Sequence, residues 1–495
     1  MIRRDADGAA SVRRTQDAQF RVESMFFKAK AKQSLDDAAL QKNLTKAKGK
    51  FVDKRAAAFA ELAADGCGFA ALRDAGQAIR QRSLADLDHW LEAFEKQATA
   101  RGAEVLWARD GQQIRDLVIE IAQRHGVGKI IKSKSMLSEE AGLNAALAAA
   151  GITPVETDLG EYIIQLAGET PSHIIAPAVH KNLDEVADLF QQHHGSPRKT
   201  EIPALTREAR AVLREHFLSA GMGISGGNFL IAESGSVALV TNEGNGRMVT
   251  TLPKVHVVIT GVEKVVPTLA EFATLMRLLP RSATGQAISN YVSLLTGTKG
   301  AGDADGPEFM YFILVDNGRV ELLGGEHQDI LRCIRCGACM NHCPVYQTIG
   351  GHAYGWVYPG PMGAVLTPLY TGLQRAGELP QAATLCHQCD VVCPVGIPLP
   401  ELLRKLRRQA VDQGLRPWSE RLALRLWRFV AERPALYAAA VKFAVSHLRW
   451  LAGGQDRIQV FGLAPEWTLG RDLPAPQQAP FRELLKQRRV KPARR

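Results

Sequence analysis

Cys333-Ile-Arg-Cys336-Gly-Ala-Cys339-Met-Asn-His-Cys343-Pro344 and, further along, Cys386-His-Gln-Cys389-Asp-Val-Val-Cys393-Pro394 hold seven of the chain's eight cysteines. The first run has the C-x2-C-x2-C-x3-C-P spacing. That spacing wraps a short loop around three irons of a cubane and sends its fourth thiolate to a neighbouring cluster. The second run repeats the theme in shortened form. Paired motifs of this kind predict two [4Fe-4S] clusters held close together and a chain that carries electrons.

Other uses of cysteine fit less well. Disulfide frameworks belong to small secreted chains, whereas this one has 495 residues and leaves Cys67 standing alone. Zinc sites commonly use two well-separated C-x2-C pairs, not four cysteines in one short run. By the ligand exchange of two-cluster ferredoxins, Cys333, Cys336, Cys339 and Cys393 are expected to hold the first cluster. Cys343, Cys386 and Cys389 are expected to hold the second, which is then one ligand short. Counting back from Cys386 by the first motif's spacing puts the absent cysteine at Ala383, which cannot coordinate iron. The open choices are a non-cysteine ligand (His387, Asp390 or His352), a ligand from outside the chain, an open iron, or a three-iron centre.

Length suggests about three domains at roughly 150 residues each. A hydrophobic share of 46% and a charged share of 23% are ordinary for a globular chain. No run of apolar residues is long enough to span a bilayer, and MIRRDADGAASVRR lacks the apolar centre of a signal peptide. Reduced thiolates without an export signal point to the cytoplasm. The net charge of +10 is concentrated towards segments such as Lys28–Lys54 and Lys486–Arg495, and no zinc-finger, RNP-type or helix-turn-helix signature accompanies it. A solvated or partner-facing surface is therefore expected, and no nucleic-acid site.

From about Asp17 to Arg101 the texture is helical, with Leu84, Leu87, Trp90, Leu91 and Phe94 at helical spacing as core residues. From Ala103 short apolar runs alternate with helices: strands at Glu104–Trp107, Lys129–Lys132 and Pro154–Glu156, helices at Gln112–His125 and Glu139–Ala150. That alternation predicts βαβ units and a parallel or mixed sheet. After a helix at Thr206–Leu218 come strands at Asn228–Ala232, Ser236–Val240 and Val255–Gly261, then one at Tyr311–Val315. Gly350–Pro361, rich in Gly, Pro and aromatics, is expected to shield a cluster or dock a partner. The basic stretch from Trp418 to Gly454 reads as helix divided by Pro434, its apolar face expected to pack on the protein's own core. The same basic, amphipathic character is compatible with peripheral membrane contact.

Some motifs carry less than they suggest. Gly221-Met-Gly223-Ile-Ser-Gly226 matches G-x-G-x-x-G, but a helix precedes it and a strand follows, the reverse of a dinucleotide fingerprint. Its glycines are expected to form a tight turn, with a backbone-amide pocket for a small anion as the alternative. Asn228, Glu233 and Arg247, on or near successive turns, form a candidate pocket for a small acid, with ordinary turn chemistry as the competing reading. His173 and His180 bracket an expected short strand at Ile174–Ala176 and are assigned no metal.

The residues as a whole resemble the lactate utilization protein B family, also described as YkgF-type iron–sulfur proteins. The resemblance is carried by Lys132-Ser-Lys-Ser-Met136 with Glu139-Glu140 and Leu143-Asn144, then Glu156-Thr-Asp-Leu-Gly-Glu161 with Gln165-Leu166, and Pro171-Ser-His-Ile174. Gly223–Phe229, Ala232–Gly235, Asn242–Asn245, Cys333–Pro344, Gly350–Thr367 and Cys386–Pro398 complete it, over about residues 20–480. It implies an α/β LUD domain similar to the NagB/RpiA/CoA-transferase type at 70–300, after a helical region at 1–69. It further implies an α-helical two-[4Fe-4S] ferredoxin-like domain at 321–408 and a helical, basic C-terminal domain at 409–495. The family's second motif is likewise one cysteine short. The implied role is electron transfer in oxidation of L-lactate to pyruvate, beside a LutA-like CCG-domain subunit and a LutC-like LUD subunit. Two other roles compete: catalysis by a hydroxy-acid pocket in the LUD domain, and a redox-sensing scaffold with a labile second cluster.

Overall fold

The computed structural model describes residues 22–490 apart from 65, 463–467, 469–471 and 477–478. The chain divides into two units, Met1–Ala410 and Val411–Arg495. Within the first unit the strands are β1 (Ala103–Ala108), β2 (Lys129–Lys132), β3 (Thr153–Glu156), β4 (Met222–Gly226), β5 (Phe229–Ile231), β6 (Ser236–Thr241), β7 (Val255–Gly261), β8 (Val265–Val266), β9 (Tyr291–Leu295) and β10 (Phe309–Val315). Six of them form a parallel sheet in the order β1-β10-β7-β4-β2-β3. A sheet covered on both faces needs apolar side chains in both directions. The central strands comply: β7 is buried at every residue, and β10 at all but Phe309. Helix Gly111–Arg124 packs Ile114, Val118 and Ile121 on one face, while Leu87–Thr99 packs Leu91 and Phe94 on the other. A second sheet, β8-β5-β6-β9, pairs β6 antiparallel to both β5 and β9.

Four helices, Phe27–Asp36, Ala38–Ala64, Phe69–Ala85 and Leu87–Thr99, fill the region expected to be helical; residues 17–21 of that expectation lie outside the described residues. The expected helix Glu139–Ala150 is two, Met136–Glu140 and Leu143–Ala149, separated by Gly142 at φ +67°. The glycine-rich run Gly221–Gly226 corrects the expectation of a tight turn, because it contains strand β4, in the middle of the parallel sheet. Helix Asn245–Thr251 passes so close that a Cβ on Gly223 would lie 1.9 Å from the Val249 carbonyl oxygen. Glycine is there for close approach to a helix, not for a turn. The expected strand Ile174–Ala176 is also absent; bends and turns fill this stretch, and both Ile175 N–H and Ala176 N–H bond the His173 ring instead of a neighbouring strand.

The cysteine region has no separate core. One continuous apolar cluster joins Phe59, Leu72 and Ile79 of the early helices, Phe229 and Ile231 of β5, and Leu275 and Leu278 of helix Leu269–Thr284. Cys336, Cys343, Tyr346, Tyr354 and Cys393 belong to the same cluster. The Gly350–Pro361 stretch is part of it, with Tyr354 and Tyr358 fully buried.

In the second unit, helices Trp418–Ala431 and Pro434–Ala452 meet at Pro434, as the break in the pattern predicts. Of their apolar residues, Leu448 and Ala452 join a small cluster with Ile458, Leu473 and Ala475. Leu426, Trp427, Phe443 and Trp450 are 59–74% exposed, and the first helix buries no side chain. This corrects the expectation of packing on the protein's own core, because among the described residues most of the stripe stays exposed. Among the described residues, no helix is long and apolar enough to cross a membrane.

Candidate iron–sulfur site

Each cysteine loop is shaped by backbone in the left-handed region. In the first motif Arg335 and Gly337 have φ of 58° and 74°, flanking Cys336. In the second, Leu385 and His387 have φ of 55° and 64°, flanking Cys386. A short helix follows in each case, Ala338–Asn341 and Gln388–Val391. The two loops therefore repeat one backbone path, with Cys386 at the place of Cys336 and Ala383 at the place of Cys333. Non-glycine residues adopt this conformation at a cost, and such strain concentrates at binding sites.

The fold interleaves the two motifs. Cys336 lies within electrostatic reach of Cys393 and Cys333, and Cys339 within reach of Cys333, Cys336, Cys389 and Cys393. Cys343 neighbours Cys386, and Cys389 neighbours both. The structure thus brings Cys333, Cys336, Cys339 and Cys393 into one group and Cys343, Cys386 and Cys389 into a second. Cys339 also lies within electrostatic reach of Cys389, across the two. Cys67 is free and only partly buried.

Burial, then the neighbouring sulfurs, pushes Cys336 and Cys389 up to about 12 and Cys393 up to about 11. Cys339 and Cys343 are raised for the same reasons. Such thiols ionise together only if a cationic centre compensates their charge. Meanwhile backbone N–H groups converge on sulfur: Arg335 N–H on Cys333 Sγ at 3.4 Å and Ile397 N–H on Cys393 Sγ at 3.3 Å. N–H donors of Ala338, Val345 and Tyr346 serve Cys336 and Cys343. Exposed Cys386 is lowered by the Gln388 N–H and the Thr384 hydroxyl. Sulfurs in two groups, all but Cys386 buried or half-buried and each group met by N–H donors, fit iron–sulfur clusters in donor chemistry and in surroundings.

A network of charges ties this region to the parallel sheet. Arg335 lies over the Tyr358 ring at 4.9 Å and 3.8 Å from Glu263, just past the end of β7. Arg319, beyond β10, pairs with Glu263 at 2.9 Å and holds both oxygens of Glu140 at 3.0 Å. Tyr358 donates to Glu140 at 2.6 Å. Lys264 Nζ donates to the Cys333 carbonyl at 3.1 Å, and Arg80 donates to the Leu331 and Arg332 carbonyls. Burial raises Glu263, but Arg319, Lys264 and Arg335 outweigh it and hold the carboxyl at about 2.

The candidates for the missing ligand are dispersed. His387 is exposed and 3.8 Å from Asp390, whose other oxygen meets Arg73 at 3.3 Å. His352 bonds the Thr170 carbonyl oxygen at 2.7 Å and lies against His180. The three residues of the candidate acid pocket have separate partners. Asn228 accepts from Val240 N–H, Glu233 accepts from Leu269 N–H, and Arg247 lies over the Tyr291 ring. None of them lines the cavity of about 520 Å³ bordered by Phe51, Leu159, Ile163, Lys181 and Phe190.

Ionisable groups do converge where the sequence assigned no site. Lys132 ends β2 and Glu156 ends β3, so both stand at the carboxyl edge of the sheet, the usual ligand edge of parallel sheets. Lys132 Nζ donates to Glu156 and, at 2.6 Å, to Asn144. Burial alone would lower this lysine, but Glu156 and Glu139 reverse the balance and raise it. Beside them Glu161 lies 3.3 Å from Lys134, and burial pushes its carboxyl up to about 7. The signal was present in Lys132-Ser-Lys134 and Glu156-Thr-Asp158, but spacing could not show that the two segments lie on adjacent strands.

Three domain families match the chain: LUD domain over 91–315, 4Fe-4S dicluster domain over 329–397, and "Lactate utilisation protein B, C-terminal" over 405–490. Lactate utilization protein B of Bacillus licheniformis is 42% identical over 94% of this chain and 97% of its own. The chain belongs to the lactate utilization protein B family. Its counterpart from Lysinibacillus sphaericus is 45% identical over 84% of this chain and 88% of its own. The uncharacterized electron transport protein YkgF of Escherichia coli is 40% identical over 93% and 96%. Family membership accounts for the architecture described above: a LUD domain with a parallel α/β core, a helical dicluster region, and a helical C-terminal region.

Proposed function

We propose that this chain is the iron–sulfur electron-transfer subunit of a complex that oxidises L-lactate to pyruvate. In this reading Cys333, Cys336, Cys339 and Cys393 hold one [4Fe-4S] cluster, and Cys343, Cys386 and Cys389 hold the other. The observation that carries it is the interleaving of the two motifs into two neighbouring groups of sulfur. Oxidising the alcohol carbon of lactate to a ketone releases two electrons and two protons, and each bound cluster would supply acceptance of one electron. The chain's own residues bind and orient. Arg80 and Arg335 put positive charge beside the Cys333 loop, which favours the negative charge that reduction adds.

Relatives named for lactate utilization and for electron transport support both halves of the proposal. Breaking the substrate bonds falls to a partner, for which a LutA-like CCG-domain subunit and a LutC-like LUD subunit are the candidates. The test is anaerobic visible absorption of the purified chain before and after L-lactate, alone and with those subunits. Bleaching only with partners present is expected. No bleaching in either case sinks the proposal.

The buried Lys132, Glu156 and Glu161 group favours a second reading, in which the LUD domain itself engages a substrate. Bleaching by lactate alone would select it.

A further inference from the structure

Glu169, His180 and His352 come from different parts of the chain. Glu169 follows helix Leu159–Ala167, His180 ends the irregular stretch after it, and His352 lies between the two cysteine motifs. One ligand atom from each lies within 4.8 Å of the others. We propose that these three side chains form a binding site for one divalent cation of the zinc class, separate from the cysteine groups.

The surrounding contacts fix which nitrogen of each ring faces the other ligands. The Ser172 hydroxyl lies 2.6 Å from His180 Nδ1 and 3.2 Å from the Pro177 carbonyl oxygen, and so holds the ring through Nδ1. That leaves Nε2 towards Glu169 Oε2 at 2.9 Å, where a divalent cation would take the place of the proton the two share. A second proton on the ring is disfavoured by burial, by His352 at a ring separation of 4.5 Å, and by Lys181 on the same carboxylate. His352 Nε2 donates to the Thr170 carbonyl oxygen, so the lone pair of this ring is on Nδ1.

Each imidazole is thus held through one nitrogen by a polar neighbour, the arrangement that orients metal-binding histidines. Lys181 holds Glu169 through Oε1, leaving Oε2 towards His180. Two imidazoles and one carboxylate suit zinc, and bonds of about 2.0–2.1 Å would set the ligand atoms roughly 3.3 Å apart. The half-open setting of Glu169 and His352 leaves the fourth position to water.

The site would clamp the segment after Glu169 to the start of the Gly350–Pro361 stretch. The two already meet closely: a Cβ on Gly351 would lie 1.8 Å from the Ser172 carbonyl oxygen, and Tyr346 donates to that oxygen at 2.8 Å. His173 of the same segment donates to Asn341 at 2.9 Å, beside the first cysteine loop. His173 is itself no ligand, because its Nδ1 accepts two backbone N–H groups.

The test uses the full chain with its iron–sulfur content intact. Zinc chloride is titrated anaerobically against a competing zinc indicator, metals per chain are counted by mass spectrometry, and the zinc environment is read by X-ray absorption. One zinc per chain is expected, surrounded by nitrogen and oxygen at about 2.0–2.1 Å with no sulfur. His180→Ala and Glu169→Gln should each weaken zinc binding at least about tenfold with iron per chain unchanged. Sulfur at about 2.3 Å would mean that zinc had entered the cysteine groups, and the proposal fails. It fails equally if both variants hold zinc as tightly as the parent. Should His180→Ala lose iron through misfolding, Glu169→Gln, on a side chain partly in solvent, decides alone.

Discussion

Ala383 illustrates how much one side chain decides. The left-handed residues around Cys386 reproduce those around Cys336, which puts Ala383 at the position that Cys333 holds in the first loop. Only the sulfur is missing. Ala383→Cys should therefore complete the second group with a fourth thiolate. The expected outcome is more iron retained per chain after exposure to air, measured beside the parent by iron assay and visible absorption. Unchanged retention would show that the position does not face the second group. His387 stands where the first loop has Gly337 and takes the same positive φ. A residue that bears this conformational cost at an exposed position is explained by the loop it shapes, whether or not its ring meets iron.

Strand β7 shows what an element demands of its residues. Buried at every position, it still places His256 at the centre of the sheet, with Nε2 2.9 Å from the Ser225 hydroxyl of β4. Burial pushes this imidazole down to about 3. A histidine in the unfolded chain titrates near pH 6.5, so between about pH 6.5 and 3 the unfolded chain binds a proton that the native one refuses. The stability tied to a neutral His256 is therefore whole above that window and declines as pH falls through it. Between about pH 7 and pH 5 the parent should lose about 2 kcal/mol more than His256→Gln. Chemical denaturation at the two pH values checks this, and equal losses would mean that the ring is not held neutral. Element-level reading also explains the misjudged glycine run. G-x-G-x-x-G reads as a turn because turns are where isolated glycines are commonest, yet Gly223 answers to a helix packed across β4.

Across the whole molecule, the cysteine region shares one apolar core with the early helices and with helix Leu269–Thr284, whereas residues 411–495 form a unit of their own. Iron retention should follow that division. A chain ending at Asp412 should keep the iron content and the visible spectrum of the parent. It should lose lactate-dependent electron flow with partner subunits if the exposed stripe of Trp427, Phe443 and Trp450 is where a partner docks. Loss of iron on truncation would show that the second unit supports the cysteine loops.

By itself the sequence determined the chemistry and most of the local structure. Cysteine spacing identified the iron–sulfur motifs, because ligand geometry around a small cubane is a local constraint. Alternation of apolar runs with helical stretches announced the parallel sheet, because burial on both faces leaves its mark on every central strand. Tertiary structure alone decided that the cluster loops have no core of their own. It also brought Lys132 beside Glu156, and Glu169 and His180 beside His352. Those pairings join residues far apart in the chain, and periodicity carries no information about which distant segments burial will bring together.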